Sequence, residues 1–299
     1  MKKILISLLI FIQILGTVET DKLEVEKIGN FALSSSQQPG PLIGFGQNII
    51  DKGDLQVFLY ADWLRGRQKK FTEVSPSVLY GISDDLSIFI EQSIVLNFKL
   101  TDPITGRNFV AKGLDDLLIQ FEYAFYNKET ETYANQFTIV PAITFPTGTT
   151  NLSDLVTDTM PIGVGSPSFF LGFTACHMAT DWYYFAAFGP VLTTSHKNTK
   201  FGNQFLYQLG LSKNISYETD KYIFNWMIEL DGAYRQRNKI LGIIDCNSGG
   251  NEIILGPSLW YSNQHFILQA GISWFIYQQF FGTQNKDTFF AAIDIGWKF

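Results

Sequence analysis

Beyond residue 54 hydrophobic and polar positions alternate, and the pattern is cleanest at the end of the chain. Phe289, Ala291, Ile293, Ile295, Trp297 and Phe299 take every second place, with Phe290, Ala292, Asp294, Gly296 and Lys298 between them. Successive side chains of a β-strand point to opposite faces, so one face here is wholly apolar and the other mixed. The same period of two recurs along the chain. Leu55, Val57, Leu59, Ala61 and Trp63 form the outer face of a first strand; Val74, Pro76, Val78 and Tyr80 form a second. Ile88, Ile90, Ile94, Leu96 and Phe98 form a third, and Leu117, Ile119, Phe121, Tyr123 and Phe125 a fourth. Further strands center on Ile139, Leu171, Leu209, Trp226, Leu255 and Ile272, and a stretch from Trp182 to Leu192 is a strand without a clear phase. With the closing strand the pattern predicts about 12, an even number as a single-chain bacterial barrel requires. Pro76, Pro141 and Pro257 are awkward members, because proline cannot donate to a ladder.

The connections sort by length. Short ones fall near Ser83–Asp85, Asn127–Thr132, Ala179–Asp181, Ser216–Asp220 and Ser262–Gln264. The intervening ones are mostly longer, above all Leu100–Gly113, Thr147–Gly165 and Gln236–Gly250. Outer-membrane barrels have short periplasmic turns and long extracellular loops. The reading is therefore all-β: a single antiparallel up-and-down transmembrane β-barrel over 54–299. In hydrocarbon each backbone N–H and C=O must be paired internally, which a closed sheet achieves without an edge.

Composition fits. Charged residues make up 17% and aromatic residues 15%, against about 25% charged in soluble domains. The net charge of −6 argues against nucleic acid, which requires clustered Lys and Arg. Lys2 and Lys3 followed by an apolar run from Ile4 to Leu15 predict a signal peptide over 1–20, and hence export. Residues 21–53, with Ser34–Pro41 rich in turn formers, are read as an N-terminal extension, periplasmic or tucked into the lumen. Cys176 and Cys246 fall at opposite ends of the barrel, beyond disulfide reach.

The phase of the strands also assigns the inner wall. Asp62, Glu91, Glu122, Glu229, Asp231 and Asp294 face inward against Lys99, Arg235 and Lys298, which makes the lumen mildly acidic. Tyr126, Phe275 and Tyr277 join them as inward aromatics, with Phe58, Tyr60, Phe170 and Phe290. Such rings suit either a path for aromatic solutes or the filling of a narrow barrel.

The last strand, ending on Phe299, resembles the C-terminal strand of bacterial outer-membrane barrels, which implies recognition by the barrel-assembly machinery. Tyr80-Gly81-Ile82-Ser83-Asp84-Asp85-Leu86, Gly113-Leu114-Asp115-Asp116-Leu117, Phe145-Pro146-Thr147-Gly148 and Gly163-Val164-Gly165-Ser166 together resemble the outer-membrane transporter family named after the meta-pathway of phenol degradation. Asp115 stands where that family has a second glycine. The resemblance implies a barrel that moves small, often hydrophobic compounds and carries no catalytic residues.

The expectation is thus a channel in the outer membrane of a Gram-negative bacterium, embedded in its lipids, passing small and possibly aromatic solutes, without cofactor or metal. The alternative is a surface-interaction or structural barrel acting through its extracellular loops. A lipid-modifying enzyme ranks below both: Ser195 and His196 are neighbours in a loop, and His177 and His265 lie near the periplasmic rim.

Overall fold

The computed structural model describes residues 28–46, 48–130, 132–148 and 162–299; the expected signal peptide lies outside them. The wall is built from β1 (Leu55–Gly66), β2 (Lys69–Ser83), β3 (Leu86–Thr101), β4 (Asn108–Glu129), β5 (Tyr133–Phe145), β6 (Ser168–Ala179) and β7 (Trp182–Thr193). It continues with β10 (Gln204–Glu218), β11 (Tyr222–Arg235), β14 (Gly250–Asn263), β15 (Phe266–Phe280) and β16 (Asp287–Lys298). The short strands β8 (Ser195–His196), β9 (Thr199–Lys200), β12 (Lys239–Ile240) and β13 (Ile243–Ile244) form a separate four-stranded sheet from two loops at the long-loop end. The twelve wall strands close into an antiparallel barrel in which each pairs with its neighbours in sequence and β1 pairs with β16.

The outward phase follows the sequence pattern. Leu59, Ile90, Phe121, Phe169, Leu209, Leu259, Trp274 and Ile293 are all exposed large hydrophobics, a surface that only lipid makes favourable. β7 now has a phase: Tyr183, Phe185 and Ala187 are buried inward, while Tyr184 and Phe188 are exposed outward. The strand prolines are tolerated one side at a time. Pro76, Pro141 and Pro257 pair with Leu59, Leu171 and Ile228, and the ladder to the opposite neighbour skips each of them. The missing N–H is placed where no bond is made.

Three inner-wall assignments are corrected, each by a β-bulge. Leu96 is left out of the β2–β3 register, which runs Glu73↔Val95 and then Thr72↔Asn97. Beyond that slip Phe98 turns inward against Phe71, 6.0 Å away, and Lys99 turns outward. Phe125 is skipped between Ala124↔Thr138 and Tyr126↔Phe137. Tyr126 therefore lies outside, 43% exposed and 5.4 Å from Phe137. Ile276 is skipped between Phe275↔Ile254 and Tyr277↔Ile253, which sends Tyr277 outward and leaves Phe275 inward. Side-chain direction has a period of two, so one unpaired residue moves everything after it to the other face.

Both thiols are free: Cys176 is half-buried in β6 and Cys246 exposed in the loop between β13 and β14. In intact cells a membrane-impermeant maleimide should label Cys246 and leave Cys176 unmodified; labelling of Cys176 from outside would contradict this topology.

Candidate functional site in the barrel lumen

A wall of this size is too wide for its own side chains to fill, and the N-terminal segment occupies the inside. Its first 3-10 turn, Gly29–Phe31, rests on the β6–β7 turn. There Asn30 N donates to Thr180 O (2.7 Å) and Asn30 Nδ2 to Ala179 O (2.9 Å), while Asn225 Nδ2 donates to Asn30 Oδ1 (2.8 Å). After a second turn, Ser35–Gln37, the wall reaches for the segment's carbonyls: Ser262 Oγ donates to Gln37 O (2.7 Å) and Gln269 Nε2 to Gly40 O (3.1 Å). The chain then climbs to Phe45, whose ring meets Phe170 edge-on at 4.6 Å. It returns to the short-turn end past Ile50, where Ile50 N donates to Ser87 Oγ (3.1 Å).

Two wall carboxylates hold this path. Glu229 accepts from Leu42 N at 2.9 Å and Ile43 N at 3.3 Å. Glu122 accepts from Asn48 N at 2.8 Å, Asn48 Nδ2 at 3.0 Å and Gln120 Nε2 at 2.7 Å. Between Pro39 and Ile50 the segment makes no hydrogen bond to itself among the described residues, which leaves its N–H groups to be satisfied, and a buried carboxylate needs donors; each supplies what the other lacks. Lys298 closes the base, with Nζ 2.5 Å from Asp54 Oδ2 and 3.1 Å from Ser34 Oγ. Apolar packing adds to this. Ile50 joins Phe58, Leu79, Phe89, Trp260 and Ile267, with Tyr60 against them, and Phe31 joins Met178, Tyr183, Phe185 and Met227.

The sequence-assigned wall residues therefore divide. Glu122, Glu229 and Lys298 bind the segment. Arg235 is engaged with Glu252 and Gln204. Asp231 is buried and makes no hydrogen bond among the described residues. Asp62, Glu91 and Asp294 line a cavity of about 300 Å³ between the segment and the wall of β16, β1, β2 and β3, to which β4, β14 and β15 also contribute. Glu73 belongs with them although the strand pattern does not single it out; it lies directly across from Asp62. The neutral amides Gln120, Gln208, Gln269 and Asn225 are likewise additions from the structure. Their signal is present in the sequence: each is a polar residue at an inward position, flanked on both sides by apolar or aromatic outward residues.

The four stretches behind the family resemblance occupy two structural joints. Gly81 meets the returning segment: Gly53 N donates to Gly81 O (2.9 Å), and a Cβ on Gly81 would lie 2.1 Å from Asp51 O. At the other end the remaining three converge. Asp116 accepts from Gly148 N (3.0 Å) and Val164 N (2.8 Å), so one carboxylate joins both ends of the long loop. A Cβ on Gly163 would come within 2.3 Å of Asp116 Oδ1.

The structure resembles an outer membrane channel from Pseudomonas putida F1, with a TM-score of 0.68 over 88% of this chain and 99% of that one, at 12% identity. It shares the barrel fold. A weaker likeness to the NanC porin covers 81% of this chain and 98% of that one, at 10% identity and a TM-score of 0.47. No protein-family model matches the chain, and no curated protein sequence does.

Replacing Glu229 or Glu122 by alanine should destabilise the lumenal segment by about 1.5–3 kcal/mol each, the range for hydrogen bonds to charged groups. Limited proteolysis of the folded barrel should then cut between residues 38 and 46, where the parent protein resists; equal resistance would show that these carboxylates do not hold the segment.

Proposed function

We propose that the protein is an outer-membrane channel passing small solutes through the gap between its lumenal segment and the β16–β1–β2–β3 wall. The observation that carries this reading is the cavity itself. A segment serving only to fill the barrel would pack against the whole inner surface. Between Gly40 and Asn48 this one is bonded to β15, β11, β10 and Glu122, and along that stretch it leaves polar space beside β1 and β2. The shared barrel of the Pseudomonas putida channel supports the same reading. Membership of the phenol-degradation type of transporter family is the finer part of the proposal, supported by the convergence of its motif residues on Asp116. The mature protein would lie in the outer membrane, assembled through the strand that ends on Phe299. A hydrolase has less behind it: Ser195 and His196 are neighbours in the two-residue strand β8, with His196 opposite Thr199.

In planar bilayers the full-length mature protein should give small conductance steps. A variant lacking residues 28–52 should give steps several-fold larger. A protein silent in both forms would end the channel reading.

A further inference from the structure

The space beside β1 is lined by four carboxyl groups and by no lysine or arginine. Asp62 and Glu73 lie directly opposite each other across the β1–β2 ladder, where side chains on one face sit about 5 Å apart and like charges repel. Asp294 is the cross-strand partner of Tyr60, placing it one diagonal step from Asp62 on the same face. Glu91 lines the same cavity. Asp294 is only 6% exposed and has no hydrogen-bond or ion-pair partner among the described residues, yet it lines the open space. The neighbouring cations are engaged elsewhere: Lys69 with Asp287 at 3.0 Å, Lys298 with Asp54, and Arg235 with Glu252.

The same cavity has an aromatic floor. Phe58 stacks on Tyr60 with centroids 5.6 Å apart, and Tyr60 meets Phe89 at 6.3 Å. Carboxylates without counter-ions, set beside ring faces, are complementary to a cation that carries an apolar body. A small metal ion would satisfy only the charge, and no metal-binding group of three or more such residues occurs among the described residues. A volume of about 300 Å³ suits a single small molecule.

Building on the channel reading, we infer that this cavity binds small aromatic ammonium compounds and selects them over neutral and anionic analogues. Three near-isosteric probes test it: phenethylammonium, 2-phenylethanol and phenylacetate. Calorimetric titration of the full mature protein in detergent should show phenethylammonium binding on the order of tenfold tighter than 2-phenylethanol, with phenylacetate weakest. The double variant Asp294→Asn/Glu73→Gln should abolish the preference, the single variant Asp62→Asn should reduce it, and Glu218→Gln on the exposed β10–β11 turn should leave it intact. Uptake into liposomes should follow the same order. Equal binding of the three probes, or a preference unchanged in the folded double variant, would overturn the inference. Selective binding in detergent with no uptake of any probe would uphold the site and remove the channel reading instead.

Discussion

The backbone of this chain meets hydrocarbon along most of its length, and hydrocarbon offers nothing to an unpaired N–H or C=O. The pairing of β1 with β16, from Gln56↔Lys298 to Gly66↔Asp287, removes the two edges an open sheet would expose. Phe299 N adds a last bond to Leu55 O at 2.8 Å, so even the terminal residue is tied to the first strand. Closure with an even number of strands brings both ends of the barrel to one side. That side is the one from which the N-terminal segment can turn back into the lumen. The seam therefore determines more than the outer surface.

Closure also creates the problem that the segment solves. An inner wall of twelve strands carries polar groups facing a space wider than their own reach. Water can satisfy some of them, but a stretch of protein with unpaired N–H and C=O groups can satisfy many while adding apolar contact. Residues 28–54 do both, offering Phe31, Leu33 and Ile50 to buried clusters and their backbone to Glu122, Glu229, Gln208 and Gln269. The barrel holds the segment, and the segment in turn fixes the shape of what remains open.

The outward face was legible because lipid enforces it: every second residue from Leu55 to Trp63, or from Phe289 to Phe299, has to be apolar. The inward face was legible only up to the first irregularity. Leu96, Phe125 and Ile276 are themselves apolar residues at outward positions, so nothing in the alternation marks them as bulges. The pattern reads straight through, and Lys99, Tyr126 and Tyr277 fall on the wrong side. The lumenal course of the extension was hidden for a different reason. Ser34 to Pro41 has the low hydrophobicity of a linker, and the glutamines, asparagines and glutamates that hold the extension are dispersed over five strands, β1, β4, β10, β11 and β15. Only closure brings those residues to one place.

The lumen carboxylates show how one residue type comes to serve two purposes on one wall. Glu122 and Glu229 sit where the segment's N–H groups point, and there a charge is held by fixed dipoles of the protein itself. Asp62, Glu73 and Asp294 sit where the segment swings away, and no donor from the described residues reaches them. A desolvated carboxylate without donors is unfavourable unless something brings positive charge to it. The division follows from the route of the chain rather than from the wall sequence, since all five residues occupy equivalent inward positions. The lumenal segment thus acts as structural support on one side and, by its absence, leaves a charged binding surface on the other.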